Sequence, residues 1–190
     1  MKTIHYIFIA VSAIVTISII IVIVVVATKN GKEETKTPNK GDKEESKEEE
    51  EIEDICSNKY SDECLYEKMI AKKGQYPEGM KWTNDNRYCW KGGIYSCGNG
   101  CAGFAFMLCD ACFDDLKALN MNPCPGNFKV GDVVRINKNT HSVIILKIDK
   151  STNTITIAEG NFNSSIHWGR TFTISQLEGN CDYILRRNPN

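Results

Sequence analysis

Hydrophobic and polar positions divide the chain into three segments. Residues 4–27 are almost entirely apolar, and a run of this length spans a membrane hydrocarbon core of about 30 Å. Residues 29–54 are mainly Lys, Glu, Asp, Thr, Gly and Pro, which cannot bury enough apolar surface to fold. We therefore predict a signal anchor that forms one transmembrane helix over 1–28, a disordered charged tether over 29–54 and one globular domain over 55–190.

The globular domain is predicted to contain helices first and strands afterwards. Ser61 or Asp62 can cap a helix over 63–73, and a largely apolar run that begins at Cys101 indicates a buried helix to about Leu119. Val- and Ile-rich segments then predict strands over 130–136, 142–149 and 154–159, with weaker candidates over 166–174 and 182–186. This order is typical of an α+β domain whose helices pack on an antiparallel sheet.

All nine cysteines of the chain lie after the apolar segment. Such a density beside a membrane segment indicates an oxidising compartment and a fold held by disulfides. We therefore expect a single-pass protein of the cell membrane with its C-terminal domain outside the cell, or a secreted domain if the chain is cleaved after Ala27. Because nine is an odd number, eight cysteines can form four bridges and leave Cys101 free. The connectivity stays open, and Cys89 with Cys97 is one possible local pair.

Two other roles for the cysteines stay open. The four cysteines from Cys97 to Cys112 could ligate zinc, although their spacing does not form two short ligand pairs. Cys109 and Cys112 could instead form a redox pair, although such pairs act from a helix N-terminus and these two lie inside the predicted helix. Both roles carry less weight than a disulfide framework around one reactive thiol.

A cysteine, a histidine and a polar group occupy positions that a nucleophilic site requires. Cys101 follows a glycine-rich turn and falls in the first turn of its helix, where the macrodipole lowers the pKa of a thiol. His141 begins an apolar strand, and the next strand ends in Glu159-Gly160-Asn161. If these strands pair in antiparallel fashion, Glu159 or Asn161 approaches His141 and can fix its tautomer. Each feature alone is common in cores and turns, but together they predict a nucleophile, a base and an orienting group.

Three segments of the domain resemble the NlpC-type cysteine peptidases of the cell wall. Residues 100–104 (Gly-Cys-Ala-Gly-Phe) resemble their Asp-Cys-Ser-Gly-Phe/Leu signature, with Gly in place of the usual Asp. Residues 130–134 are similar to their Pro-Gly-Asp-Leu-Val strand, and residues 141–145 to the His-Val-Gly-Ile segment that carries their base. The combination of Glu159 and Asn161 is closer to the related CHAP amidases and peptidases.

The resemblance implies a papain-like core and hydrolysis of peptide or amide bonds in peptidoglycan, without a metal or cofactor. It makes Cys101 the nucleophile and His141 the general base and then the general acid. Glu159 or Asn161 would orient His141. The expected product of the first step is a thioester, which water then hydrolyses.

The region before the nucleophile is expected to contribute to the substrate cleft. Residues 75–100 are rich in Gly, Asn, Asp, Trp and Tyr, and they are predicted to form a long loop region. Asn99 or Tyr95 would help the Cys101 backbone N–H to form an oxyanion hole. Trp82 can line the cleft, although packing over the helix would explain this residue equally well.

The leading hypothesis is a membrane-tethered extracellular cysteine hydrolase that cleaves peptidoglycan or other peptides. A catalytically inactive, disulfide-stapled binding module on the same scaffold is the second hypothesis, and a thiol–disulfide exchange protein is the third. The formal net charge of −1 includes an acidic block over 48–51. This charge pattern does not indicate a nucleic-acid partner.

Overall fold

The computed structural model describes residues 56–190 of the chain. The predicted membrane segment, the charged tether and the first residue of the predicted domain lie outside the described residues. Within residues 56–190, no helix combines the length and the apolar character needed to cross a membrane.

Residues 56–190 form three helices and eight strands. The helices are α1 (Asp62–Ile70), α2 (Gly100–Phe113) and α3 (Ile174–Asn180). The strands are β1 (Arg87–Cys89), β2 (Cys97–Asn99), β3 (Leu119–Met121), β4 (Val133–Ile136), β5 (His141–Asp149), β6 (Thr154–Phe162), β7 (Ser165–Thr173) and β8 (Cys181–Arg186).

Six of these strands form one sheet in the order β3-β8-β4-β5-β6-β7, and β1 pairs with β2 in a separate hairpin. Every pairing is antiparallel. Strands β4 to β7 follow one another as a meander, and β8 returns to pair with β4 on its other side. The predicted α+β class with an antiparallel sheet is therefore confirmed.

Side chains cover both faces of the larger sheet. On one face α2 packs against β5 and β6, and its Phe104, Leu108 and Phe113 are fully buried. On the other face, strand side chains that include Ile145 and Ile157 pack around Leu177 of α3. Because both faces are buried, the central strands have nearly continuous runs of Val and Ile instead of an alternating pattern.

The two predicted helices exist, but both end before their predicted ends, at Ile70 and at Phe113. Helix α1 begins after Ser61, whose Oγ accepts a hydrogen bond from the Cys64 N–H at 3.2 Å. Helix α2 ends at Phe113, well before the predicted end. Asp114 has a positive φ of 47°, and its carbonyl accepts a hydrogen bond from the Arg187 guanidinium at 2.6 Å. The chain therefore leaves the helix at this point.

Four elements are not indicated by the sequence pattern. The predicted loop over 75–100 contains the β1–β2 hairpin, and β3 and the short helix α3 fall in segments without a clear periodicity. Each of these elements is short, and its stability depends on contacts with the rest of the domain. The predicted strands, by contrast, correspond to β4 to β8 with small shifts at their ends.

The structure contains three disulfides and three free thiols. The bridges join Cys56 to Cys64, Cys89 to Cys97 and Cys124 to Cys181. The local pair Cys89–Cys97 is confirmed, whereas the expectation of four bridges around a single free cysteine is wrong. Cys109 and Cys112 are also free, because both project from α2 into the core, where Cys109 Sγ lies 3.7 Å from the Gly131 carbonyl oxygen.

A buried ion pair connects the start of β4 to β8. Asp132 is fully buried, and it accepts hydrogen bonds from Arg186 Nε at 2.9 Å and from Arg186 Nη2 at 2.7 Å. The Lys129 backbone N–H donates to the same carboxylate at 2.8 Å. Asp132 belongs to the segment that resembles the Pro-Gly-Asp-Leu-Val strand, and its contacts give it a structural role.

Replacing Asp132 by Asn should lower the free energy of unfolding by about 3–5 kcal/mol, because the buried Arg186 guanidinium loses its counter-charge. Urea unfolding of the oxidised chain, followed by tryptophan fluorescence, measures this loss. The matched control is Asp115→Asn, which removes an exposed carboxylate paired with Lys91 and should cost less than about 1 kcal/mol. Similar losses in both variants would contradict a structural role for the buried pair.

Candidate functional site

Cys101 lies in the first turn of α2, directly after Gly100. Gly100 has a φ of +53°, and a Cβ at this position would collide with Asn84 Oδ1 and Asn161 Nδ2. These two side chains are hydrogen-bonded to each other at 2.8 Å and cover the turn. Only glycine combines this backbone angle with so close an approach. An Asp, which precedes the cysteine in the signature that this segment resembles, would not fit at position 100.

Polar groups on β4 and β5 surround the Cys101 thiol. The His141 ring and the Ser142 backbone N–H lie near the thiol and favour its charged form, and Arg135 Nη1 lies 3.9 Å from the sulfur. Burial alone would raise the pKa of Cys101, but these polar neighbours and the charges of His141 and Arg135 outweigh burial and lower the pKa to about 7. A large fraction of Cys101 is therefore thiolate at neutral pH.

His141, the first residue of β5, connects Cys101 to Glu159. Its Nε2 lies 2.7 Å from Glu159 Oε2, so Nε2 carries a proton and the other ring nitrogen is left to bond Cys101. Burial would lower the pKa of His141, but the hydrogen bonds to Cys101 and Glu159 raise it to about 9. A low thiol pKa beside a high imidazole pKa favours a thiolate–imidazolium pair.

The antiparallel pairing of β5 with β6 brings Glu159 to His141, as the sequence predicts. The register places the beginning of β5 near the end of β6, and the Glu159 side chain is fully buried there. The alternative orienting group, Asn161, instead donates its hydrogen bond to Asn84. Glu159 is therefore the residue that contacts His141, and Asn161 supports the turn before Cys101.

Arg170 of β7 is a site residue that the sequence analysis misses. Its Nη2 donates to Glu159 Oε2 at 2.7 Å, and its Nε lies 2.7 Å from Oε1 without the alignment of a hydrogen bond. The guanidinium also lies over the rings of Phe162 and Phe172, at 4.7 and 4.8 Å from their centroids. This cation offsets the charge of the buried carboxylate. The only indication in the sequence is that Arg170 falls in a weakly predicted strand, which follows β6 in the chain.

A cleft of about 270 Å³ lies next to Cys101, and its lining includes Ala102 and Ser142. Asn99 and Tyr95 line it, as predicted, and the Asn99 side chain makes no capping hydrogen bond to α2. Trp82 does not line the cleft, because it is 7% exposed and donates its Nε1–H to the Gly100 carbonyl at 2.8 Å. It supports the turn from within the core. A larger concavity, of about 710 Å³, contains none of these residues.

The two other free thiols do not form a second reactive site. Cys109 and Cys112 are fully buried, and burial raises the pKa of Cys112 to about 12 and also raises that of Cys109. Protonated, inaccessible thiols are poor nucleophiles and poor metal ligands. Cys97 is bonded to Cys89, so the four cysteines from Cys97 to Cys112 do not meet as a ligand set.

His167 belongs to a separate hydrogen-bond network. Its Nδ1 lies 2.7 Å from Glu78 Oε1, and its Nε2 lies 3.0 Å from Ser165 Oγ. The Ser165 hydroxyl donates to the Phe162 carbonyl oxygen at 3.1 Å. These bonds connect the loop that follows α1 to β7, which gives His167 a structural role.

Replacing Arg170 by Gln should raise the pKa of His141, because the buried Glu159 carboxylate would no longer be neutralised by an arginine and would hold the His141 proton more strongly. An NMR titration of the His141 ring from pH 5 to pH 11 gives this pKa. We expect a rise of about one pKa unit.

Arg87→Gln is the matched control, because Arg87 is an exposed arginine on β1. Its pH profile should coincide with that of the unaltered chain. If Arg170→Gln leaves the titration of His141 unchanged as well, Arg170 does not act on His141 through Glu159.

Comparisons with known proteins give no relatives for this chain: no protein-family model matches it, and no curated protein and no solved structure is significantly similar to it. The interpretation of the site therefore depends on its own geometry and chemistry.

Proposed function

We propose that this chain is a cysteine hydrolase that cleaves peptide or amide bonds through a thioester, with peptidoglycan peptides as its substrate. The observation that carries the proposal is the position of His141 between Cys101 and Glu159, where it bonds to Glu159 at 2.7 Å and helps to lower the pKa of the thiol to about 7. This arrangement supplies a nucleophile, a base and an orienting group. The substrate class comes from the resemblance to cell-wall peptidases.

In the first step, the Cys101 thiolate attacks the carbonyl carbon of the scissile amide. The S–C bond forms while the carbonyl π electrons move to oxygen, which becomes an oxyanion. The N–H groups in the first turn of α2, including that of Cys101, have no partner within the helix and can stabilise this charge. The Asn99 amide lies beside them in the cleft.

In the second step, the oxyanion collapses and the C–N bond breaks. The His141 imidazolium gives its proton to the leaving amine, and a thioester to Cys101 remains. Water then attacks the thioester while neutral His141 accepts a proton from it, and Cys101 departs as thiolate. Glu159 keeps the His141 ring in the required tautomer and orientation during both steps.

The fold is compatible with the papain-like core that the resemblance implies. The nucleophile lies at the N-terminus of a buried helix, and the base lies on an antiparallel sheet against which that helix packs. Three disulfides are compatible with the proposed location outside the cell. A membrane anchor over 1–28 and a tether over 29–54 remain part of the proposal.

The competing functions make different predictions about the thiols. Thiol–disulfide exchange needs a second accessible thiol, whereas Cys109 and Cys112 are fully buried. An inactive binding module would retain the cleft without a reactive nucleophile. Selective reactivity of Cys101 therefore separates a hydrolase from both alternatives.

Iodoacetamide should alkylate Cys101 and leave Cys109 and Cys112 unmodified in the native, non-reduced chain, because only Cys101 has a lowered pKa and retains some exposure, 8% against none for the other two thiols. Peptide mapping by mass spectrometry identifies the labelled position. His141→Ala should slow labelling of Cys101 at pH 7, and guanidinium chloride should expose all three thiols. A bridge at Cys101, or faster labelling of Cys109 in the native chain, would sink the hydrolase proposal.

The rate at which soluble peptides are released from purified peptidoglycan should be proportional to the fraction of the protein in which Cys101 is a thiolate and His141 an imidazolium. We expect the rate to rise with an apparent pKa near 7 as Cys101 ionises and to fall near 9 as His141 loses its proton. Amine release measured from pH 5 to pH 10 gives the profile. Cys101→Ser should reduce the rate by at least about 1000-fold, whereas Cys112→Ser should retain activity in the protein that remains folded.

A further inference from the structure

The β6–β7 turn, residues 161–164, contacts the candidate site at two points. Asn161 bonds to Asn84 over the turn that precedes Cys101. The next side chain, Phe162, is 37% exposed, and its ring lies beside the His141 ring, with 6.2 Å between the centroids. The β6–β7 turn therefore lies against the segment before the nucleophile and against the base itself.

The Phe162 ring covers one side of the residues that hold the base. It is tilted by 55° to the His141 ring, and the Arg170 guanidinium lies 4.7 Å from its centroid. Histidine has only a broad preference for χ2, the torsion that rotates its ring, and on the side away from Cys101 one hydrogen bond, to Glu159, restrains His141. Packing against an aromatic ring adds a second restraint.

Phe162 is held in turn by the first residues of β7. Its carbonyl oxygen accepts a hydrogen bond from Ser165 Oγ at 3.1 Å and lies 3.2 Å from His167 Nε2. The His167 ring also packs nearly perpendicular to the Phe162 ring, with 5.5 Å between the centroids. His167 therefore contacts Phe162 through both its backbone and its side chain.

The loop that follows α1 fixes His167. The Nδ1 of His167 lies 2.7 Å from Glu78 Oε1, and because a carboxylate only accepts, this nitrogen carries a proton. The other Glu78 oxygen accepts a hydrogen bond from the Trp168 backbone N–H at 2.7 Å. Residues 79–82 then follow the edge strand β7 through backbone hydrogen bonds to residues 164 and 166. Through this loop the His167 ring has a fixed position relative to the sheet.

We propose that His167 is a positioning residue for the base. It fixes the Phe162 ring beside His141, and this ring limits the rotation of His141 about its bond to Glu159. The second ring nitrogen of His141 then stays directed at Cys101 and at the leaving amine. The proposal rests on the function proposed above and adds Phe162 and His167 to the residues that orient the same base.

Alkylation and amide cleavage make different demands on His141. Iodoacetamide reacts when the Cys101 thiolate displaces iodide, forming the S–C bond as the C–I bond breaks, and no proton is transferred. Cleavage of an amide also requires His141 to give a proton to the leaving amine and later to accept one from water. A His141 ring that is present but poorly oriented should therefore slow cleavage more than alkylation.

In Phe162→Ala, the rate of peptidoglycan cleavage at pH 8 should fall about tenfold, a part of the roughly 100- to 10,000-fold that a positioned proton donor contributes. Alkylation of Cys101 should change by much less. His167→Ala should give a similar result, and Phe162→Tyr, which keeps the ring, should retain the rate. Thr171→Ala is the control, because it removes an exposed side chain from β7 outside the turn, and neither rate should change.

The double variant Phe162→Ala/His167→Ala tests whether His167 acts through Phe162. Because both substitutions remove the same restraint, the double variant should lose about as much activity as Phe162→Ala alone. Losses that multiply, an equal loss of alkylation and cleavage, or a loss of the same size in Thr171→Ala overturns the proposal.

A nuclear Overhauser measurement reports the position of Phe162 without a substrate. Cross-peaks between the Phe162 and His141 ring protons should be present in the unaltered full chain and should weaken in His167→Ala. Their absence from the unaltered chain, or equal intensity in the variant, overturns the proposal. If the cross-peaks behave as expected but peptidoglycan is not cleaved, the hydrolase proposal fails while the placement of His141 stands. If Phe162→Ala cleaves peptidoglycan as fast as the unaltered chain, the reverse holds.

Discussion

The buried carboxylate of Glu159 is the constraint on which the candidate site depends. A carboxylate removed from water requires counter-charges and hydrogen-bond donors, and Glu159 obtains them from His141 and Arg170. These two residues lie on the strands that flank β6 on either side. The pKa of Cys101 is lowered in part through His141, so the ionisation of this thiol depends on the register of three strands as well as on the N-terminus of its own helix.

The meeting of His141 and Glu159 could be predicted because it follows from local rules. A short connection between two Val- and Ile-rich strands makes them antiparallel, and this places the end of one beside the start of the other. Arg170 could not be predicted in the same way. The pairing of β6 with β7 contains two register shifts, so counting residues back from the turn does not identify the side chain that reaches Glu159.

Burial was harder to predict than topology, because it depends on partners distant in the sequence. Trp82 packs into the core against Phe104, with 5.5 Å between ring centroids, and nothing in the loop sequence distinguishes this from a position in the cleft. Cys109 and Cys112 are similar cases. Their spacing suits a redox pair or a bridge, but the helix face that carries them lies against the core of the domain, which keeps both thiols reduced and inaccessible.

The turn before Cys101 has a consequence for how this sequence can vary. Gly100 is covered by the hydrogen-bonded side chains of Asn84 and Asn161, so any larger residue at position 100 collides with groups from two other segments of the chain. Neighbouring substitutions of this kind are not additive. An acidic residue before the cysteine would need smaller residues in place of Asn84 and Asn161, and it would still have to adopt the positive φ of 53° that favours glycine. The glycine and the two asparagines are therefore expected to vary together.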